Sequence, residues 1–86
     1  MKVKKVKVVK FGNSRNILEM EDISISTIEE KKMSTGENKL LLLDREGCDV
    51  IATFYDYKLQ CISKDIMTFI GYTFPKNEKV SIFIWV

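Results

Sequence analysis

Residues 40–62 read LLLLDREGCDVIATFYDYKLQCI, and they constrain the fold more than any other stretch of the chain. The apolar run Leu40, Leu41, Leu42 and Leu43 is too short for a buried helix and is bounded by turn residues, so it reads as a strand. Asp44-Arg45-Glu46-Gly47 then suits a tight hairpin loop, with Gly47 in the left-handed region. The return strand, residues 48–55, is rich in β-branched and aromatic residues. Val50, Ala52 and Phe54 fall on one side, and Ile51, Thr53 and Tyr55 on the other. Both rows are mostly apolar, which places this strand inside a sheet. Asp56 is expected to mark a second tight reversal. Tyr57, Leu59 and Cys61 then alternate with Lys58 and Gln60 in a third, half-buried strand.

The C-terminal run VSIFIWV, residues 80–86, adds a second constraint, because six of its seven residues are hydrophobic. A strand apolar on both faces is hazardous as a free edge. It must lie within a sheet or against another chain. Ile82, Ile84 and Trp85 are accordingly expected at a contact between copies, in a homo-oligomer.

The remaining segments extend the β pattern. Residues 3–11 mix valine with lysine, and the adjacent Val8 and Val9 break strict alternation, which a bulge or a change of partner would explain. The lysines suit an edge strand, where charge deters pairing. Ile23, Ile25 and Thr27 alternate with Ser24 and Ser26 as a strand, although Ser26 or Thr27 also has the spacing to cap a short helix with Glu29 or Glu30. Residues 34–38 read as a turn. Residues 63–74 fit a strand through Ile66, Thr68, Ile70, Tyr72 and Phe74, or a short helix around residues 63–71 capped by Ser63 and ended by Gly71. Pro75-Lys76-Asn77-Glu78 is a polar turn. The expectation is a single, mainly β domain over residues 1–86. It is a small antiparallel meander closing into a barrel-like or sandwich sheet, with one short helix as the open alternative. A chain of 86 residues buries roughly 60–65% of its unfolded surface.

Composition narrows the chemistry. There is no histidine, which removes the commonest general acid–base group and metal ligand. Cys48 and Cys61 are too few for a zinc site. If the chain reverses at Asp56, Cys61 falls opposite Ile51 and away from Cys48, so both cysteines read as small buried hydrophobes rather than a disulfide. Asp44, Glu46, Asp49 and Asp56 all lie near turns, as solvated hairpin acids do. No nucleophile–base pair or metal motif stands out, so a non-catalytic protein without cofactor or metal is expected. No apolar run is long enough to cross a membrane as a helix, and the basic start at Met1-Lys2-Val3-Lys4-Lys5, with no apolar segment behind it, leads us to expect no signal peptide. A cytoplasmic, non-membrane protein is expected.

Charge is unevenly spread. Residues 1–16 hold six bases and no acid (+6), and residues 17–86 hold eight bases and twelve acids (−4), which together give the net +2. The basic arm faces either a polyanion or acids of its own or another chain. The loop Gly12-Asn13-Ser14-Arg15-Asn16 offers backbone amides, two side-chain amides, a hydroxyl and a guanidinium, a set able to bind phosphate or carboxylate. Tyr55 and Tyr57, with Lys58, offer a stacking surface. The candidate ligand-binding residues are therefore Asn13, Ser14, Arg15, Asn16, Tyr55, Tyr57 and Lys58.

Lys7-Val8-Val9-Lys10-Phe11-Gly12-Asn13-Ser14 is similar to the opening of swapped-hairpin DNA-binding proteins of the AbrB/MazE type. Leu18-Glu19-Met20-Glu21 stands where that family carries a proline. The resemblance covers about ten residues and implies a dimer with Lys10, Asn13 and Arg15 near DNA. It makes Lys4, Lys5, Lys7, Lys10 and Arg15 the alternative, nucleic-acid-binding set. The leading expectation is a small binding module acting stoichiometrically. It would be an inhibitor of phage type that blocks a host protein or sequesters a nucleotide-like anion. The alternative is a DNA-binding regulator.

Overall fold

The computed structural model describes the backbone of residues 1–32 and 35–86, and the side chains of these except residues 27–38. Six strands follow one another: β1 (Lys2–Lys10), β2 (Asn16–Lys32), β3 (Thr35–Leu43), β4 (Val50–Ile62), β5 (Ile66–Thr73) and β6 (Lys79–Trp85). Each pairs antiparallel with the next, and β6 returns to β1, so the sheet closes into a barrel in the order β1-β2-β3-β4-β5-β6. No described residue is helical: residues 66–71 run as strand rather than helix, and residues 63–65 form the turn that leads into it.

Alternation explains the closure. Along β6, Val80, Ile82 and Ile84 are buried while Ser81, Phe83 and Trp85 lie on the outer side. Val6 and Val8 of β1, Leu40 and Leu42 of β3, and Phe54 of β4 fill the same interior. Burying each such side chain contributes about 1.5–3 kcal/mol. Ile82 and Ile84 are therefore spent inside one chain, each 0% exposed, and are out of reach of a second copy. Of the expected oligomer contacts, only Trp85 lies outside.

The lysine-rich β1 pairs on both sides, with β2 and with β6, so it is not an edge strand. Closure removes that edge altogether. The expected irregularity at Val8 and Val9 is present. Val8 faces Leu18 and Val9 faces Asn16, so the additional residue is Ile17 on the partner strand.

Two turn expectations are corrected. Asp56 does not reverse the chain, because β4 runs through it as one strand. Its φ of 48° and the register step from Tyr55↔Tyr72 to Lys58↔Ile70 make it part of a bulge. Thr35, Gly36, Glu37 and Asn38 are extended and paired with β2, so they form no turn; Ser34 lies outside the described residues. The hairpin at Gly47 forms as expected, with φ 76°. Its loop is held by Asp44, whose carboxylate accepts the Cys48 amide at 2.8 Å. Both cysteines are free and exposed rather than buried.

Candidate functional site

The β1–β2 loop is built by its own backbone. The Lys10 amide donates to the Arg15 carbonyl at 2.8 Å, and the Ser14 amide to the Lys10 carbonyl at 3.1 Å. The Arg15 amide donates to Asn13 Oδ1 at 3.0 Å, so the Asn13 side chain braces the loop. Gly12 (φ 95°) and Ser14 (φ 58°) take the left-handed conformations that so tight a return requires. The Phe11 amide donates to the Lys79 carbonyl at 3.0 Å, which fixes the loop to the start of β6.

The β5–β6 turn comes up beside it. The Thr73 amide donates to the Glu78 carbonyl at 2.9 Å, and Thr73 Oγ1 accepts the Glu78 amide at 3.0 Å. The turn carries a cis Phe74–Pro75 bond. Between this turn, the start of β2 and the middle of β4, the barrel has an open mouth of about 530 Å³. That volume falls in the usual range for small-molecule pockets, roughly 300–1,000 Å³.

The mouth combines charge with apolar wall. Lys10, Arg15 and Lys76 line it against a single acid, Glu78. Phe74 and Pro75 supply a flat side, and Phe74 is 68% exposed. The Tyr55 ring lies 5.6 Å from the Phe74 ring and supports it from behind. Guanidinium and ammonium groups converging on a concave, partly apolar site suit a small anion carrying an apolar or aromatic portion.

The candidate residues thus separate. Arg15 and Asn16 line the mouth; Asn13 and Ser14 do not, and serve the loop instead. Tyr57 and Lys58 line a different groove of about 850 Å³ on the outer side of β4 and β5, together with Tyr72 and Lys79. Tyr57 also packs edge-on against Phe69, with centroids 5.8 Å apart. Tyr55 belongs to neither cavity. Its ring faces Phe74 on one side, and Lys39 Nζ sits 5.4 Å from its centroid.

The nucleic-acid set separates too. Lys10 and Arg15 are at the mouth, whereas Lys5 and Lys7 lie on the barrel flank. There Lys5 faces Glu21 and Lys7 faces Glu19 across the strand pair. Lys5 Nζ also comes within 3.8 Å of Glu19 Oε1. Lys4 is exposed at the start of the barrel. A swapped-hairpin dimer needs a second chain to complete its barrel, whereas here one chain closes it alone.

Lys76, Phe74 and Thr53 of the mouth were not legible as site residues in the sequence. Lys76 sits in an ordinary polar turn, and only the closure of β6 onto β1 carries it to Arg15. Among the described residues no group of three or more histidine, cysteine, aspartate or glutamate side chains is placed to hold a metal ion. No helix there is long and apolar enough to cross a membrane. At the β3–β4 turn, the Cys48 amide holds the Asp44 carboxyl below the usual carboxylate range. No protein-family model matches the chain, and no curated protein or solved structure matches it either.

Proposed function

We propose that this barrel is a non-catalytic binding module that takes one small, nucleotide-like anion into its mouth. The observation that carries the reading is the meeting of Lys10, Arg15 and Lys76 from two separate hairpins around a cavity with only Glu78 opposed to them. The anionic group rests on these three cations, and the ring portion lies along Phe74 and Pro75. Arg15 is the principal anchor, because its fork matches phosphate or carboxylate oxygens in pairs. Binding one ligand per chain, the module acts by sequestration, as a small inhibitor of phage type would.

Native mass spectrometry of protein isolated at low salt, followed by calorimetric titration with nucleoside monophosphates and inorganic phosphate, tests this. The expected result is a small anionic adduct, or a saturable nucleotide heat, that is lost in Arg15→Gln. A bare spectrum together with no heat from any nucleotide at millimolar concentration rejects it.

A further inference from the structure

The outer side of β6 is unusual for a one-layer barrel. Its inner row, Val80, Ile82 and Ile84, fills the core. Antiparallel sheets with one solvated face normally turn polar residues outward. Here the outer row is Lys79, Ser81, Phe83 and Trp85. The neighbours continue it. Trp85 is flanked by Lys5 of β1 and Ile66 of β5; Phe83 by Lys7 and Thr68; Ser81 by Val9 and Ile70; and Lys79 by Tyr72. Lys58 lies beyond Ile70 on β4, and Tyr55 beyond Tyr72.

This face combines rings and cations in rows. Phe83 and Trp85 have ring centroids 6.3 Å apart. Lys5 Nζ lies 5.3 Å from the Trp85 ring, and Lys79 Nζ 4.2 Å from the Phe11 ring. β5 and β6 contain no acidic residue. Acids border it at Glu19 and Glu21 on β2, Asp56 in the β4 bulge, Asp65 beside the chain end and Glu78 next to Lys79. Rings that bases can stack on, bordered by lysines that track a phosphate backbone, are the two components of sequence-tolerant single-strand binding.

From this arrangement we infer that the outer face of β1, β6, β5 and β4 binds single-stranded nucleic acid, with Phe83 and Trp85 as stacking rings and Lys5, Lys7, Lys58 and Lys79 as phosphate contacts. The face is separate from the mouth and independent of what the mouth binds. Stacking displaces the Lys5 ammonium from Trp85 toward a phosphate. Both contacts it gives up, to the ring and to Glu19, are weak at a partly exposed position.

Trp85 is the single tryptophan, so its emission reads the face directly. The experiment titrates the full chain with oligo(dT) of twelve nucleotides at low salt, following Trp85 quenching and the anisotropy of a labelled strand. Saturable quenching is expected, with a salt slope no steeper than about −3 from up to four lysines. Phe83→Leu keeps the apolar bulk and removes the ring, and should weaken binding about tenfold. Lys7→Gln should weaken it severalfold at low salt and lower the slope. Circular dichroism confirms that both variants fold. Four results overturn the inference: no quenching by the single strand; equal binding of a duplex; binding lost on Lys10→Gln with Arg15→Gln but kept in Phe83→Leu; or a Trp85 spectrum that shifts with protein concentration and ignores the oligonucleotide, which means a second copy covers the face.

Discussion

The β1–β2 hairpin holds two groups of cations, and its neighbours treat them differently. On the flank, Lys5 and Lys7 stand directly across from Glu21 and Glu19, so each has an acid beside it on the partner strand. At the hairpin end, Lys10 and Arg15 meet a third cation, Lys76, around a concavity with one acid. The sequence presents one basic arm, but the fold divides it. Cross-strand register sets part of it beside acids, and loop geometry gathers the rest with a third cation. A local excess of charge therefore says little about a site until the partner strand is known.

The largest effect is expected from reversing charge at the mouth. Lys10→Glu with Arg15→Glu removes two charge-assisted contacts worth about 1.5–3 kcal/mol each, so affinity for the small anion should fall at least a hundredfold by calorimetry. The matching change on the flank, Lys4→Ala with Lys5→Ala and Lys7→Ala, should leave that affinity within about twofold, since flank and mouth share no side chain and their effects are separable. If the flank variant loses the small anion as fully as the mouth variant, the division of the arm is wrong.

Phe74→Ala should cost about tenfold in nucleotide affinity and little for inorganic phosphate, because only the ring contact is lost. At 68% exposure, its effect on stability should stay within about 0.5 kcal/mol in a urea melt. On the flank, a double-mutant cycle over Lys5 and Glu19 should give a coupling below about 1 kcal/mol that disappears at high salt, as for other solvated pairs. The smallest effect concerns Asp44. Its carboxyl is held low in the folded state by the Cys48 amide, so its contribution is present above the unfolded value, about 3.8, and is lost as pH falls through the lower folded value. Asp44→Ala should therefore be less stable than the parent at neutral pH, with the difference closing in acid.

Much of the fold was legible because its signals are local. The leucine run, the Gly47 hairpin and the apolar C-terminal strand each announce themselves within ten residues. Asp56 misled because an acid in a left-handed conformation serves a bulge as readily as a turn. Strand continuity is decided by the partners on either side, here Tyr72 and Ile70. Residues 35–38 misled for the same reason: their polar composition reads as a turn, while pairing with β2 holds them extended. The candidate site was half legible. Arg15 and Asn16 lie in a loop that announces itself, but Lys76 and Phe74 join them only through closure. Ile82 and Ile84 read as a contact for a second chain because nothing local in the sequence shows that closure turns that side of β6 into the barrel interior, against Leu40, Leu42 and Phe54.

That closing seam also sets how the chain must find its shape. Lys5 and Trp85 are neighbours in the barrel although 80 positions (85 − 5) separate them along the chain. Every other strand pair is a hairpin and needs only a local search. The seam alone demands that distant segments meet, and such pairings slow folding. Hairpins can therefore assemble in any order, while the interior stays open to water until the last strand docks. Joining β6 to β1 through a short linker, and opening the chain instead in the exposed loop at Gly47, would turn the slow encounter into a hairpin and move the long-range step to β3 and β4. Folding should then stay about as slow, because the new seam joins strands equally far apart along the chain; a large change in rate would place the rate-limiting search elsewhere in the barrel.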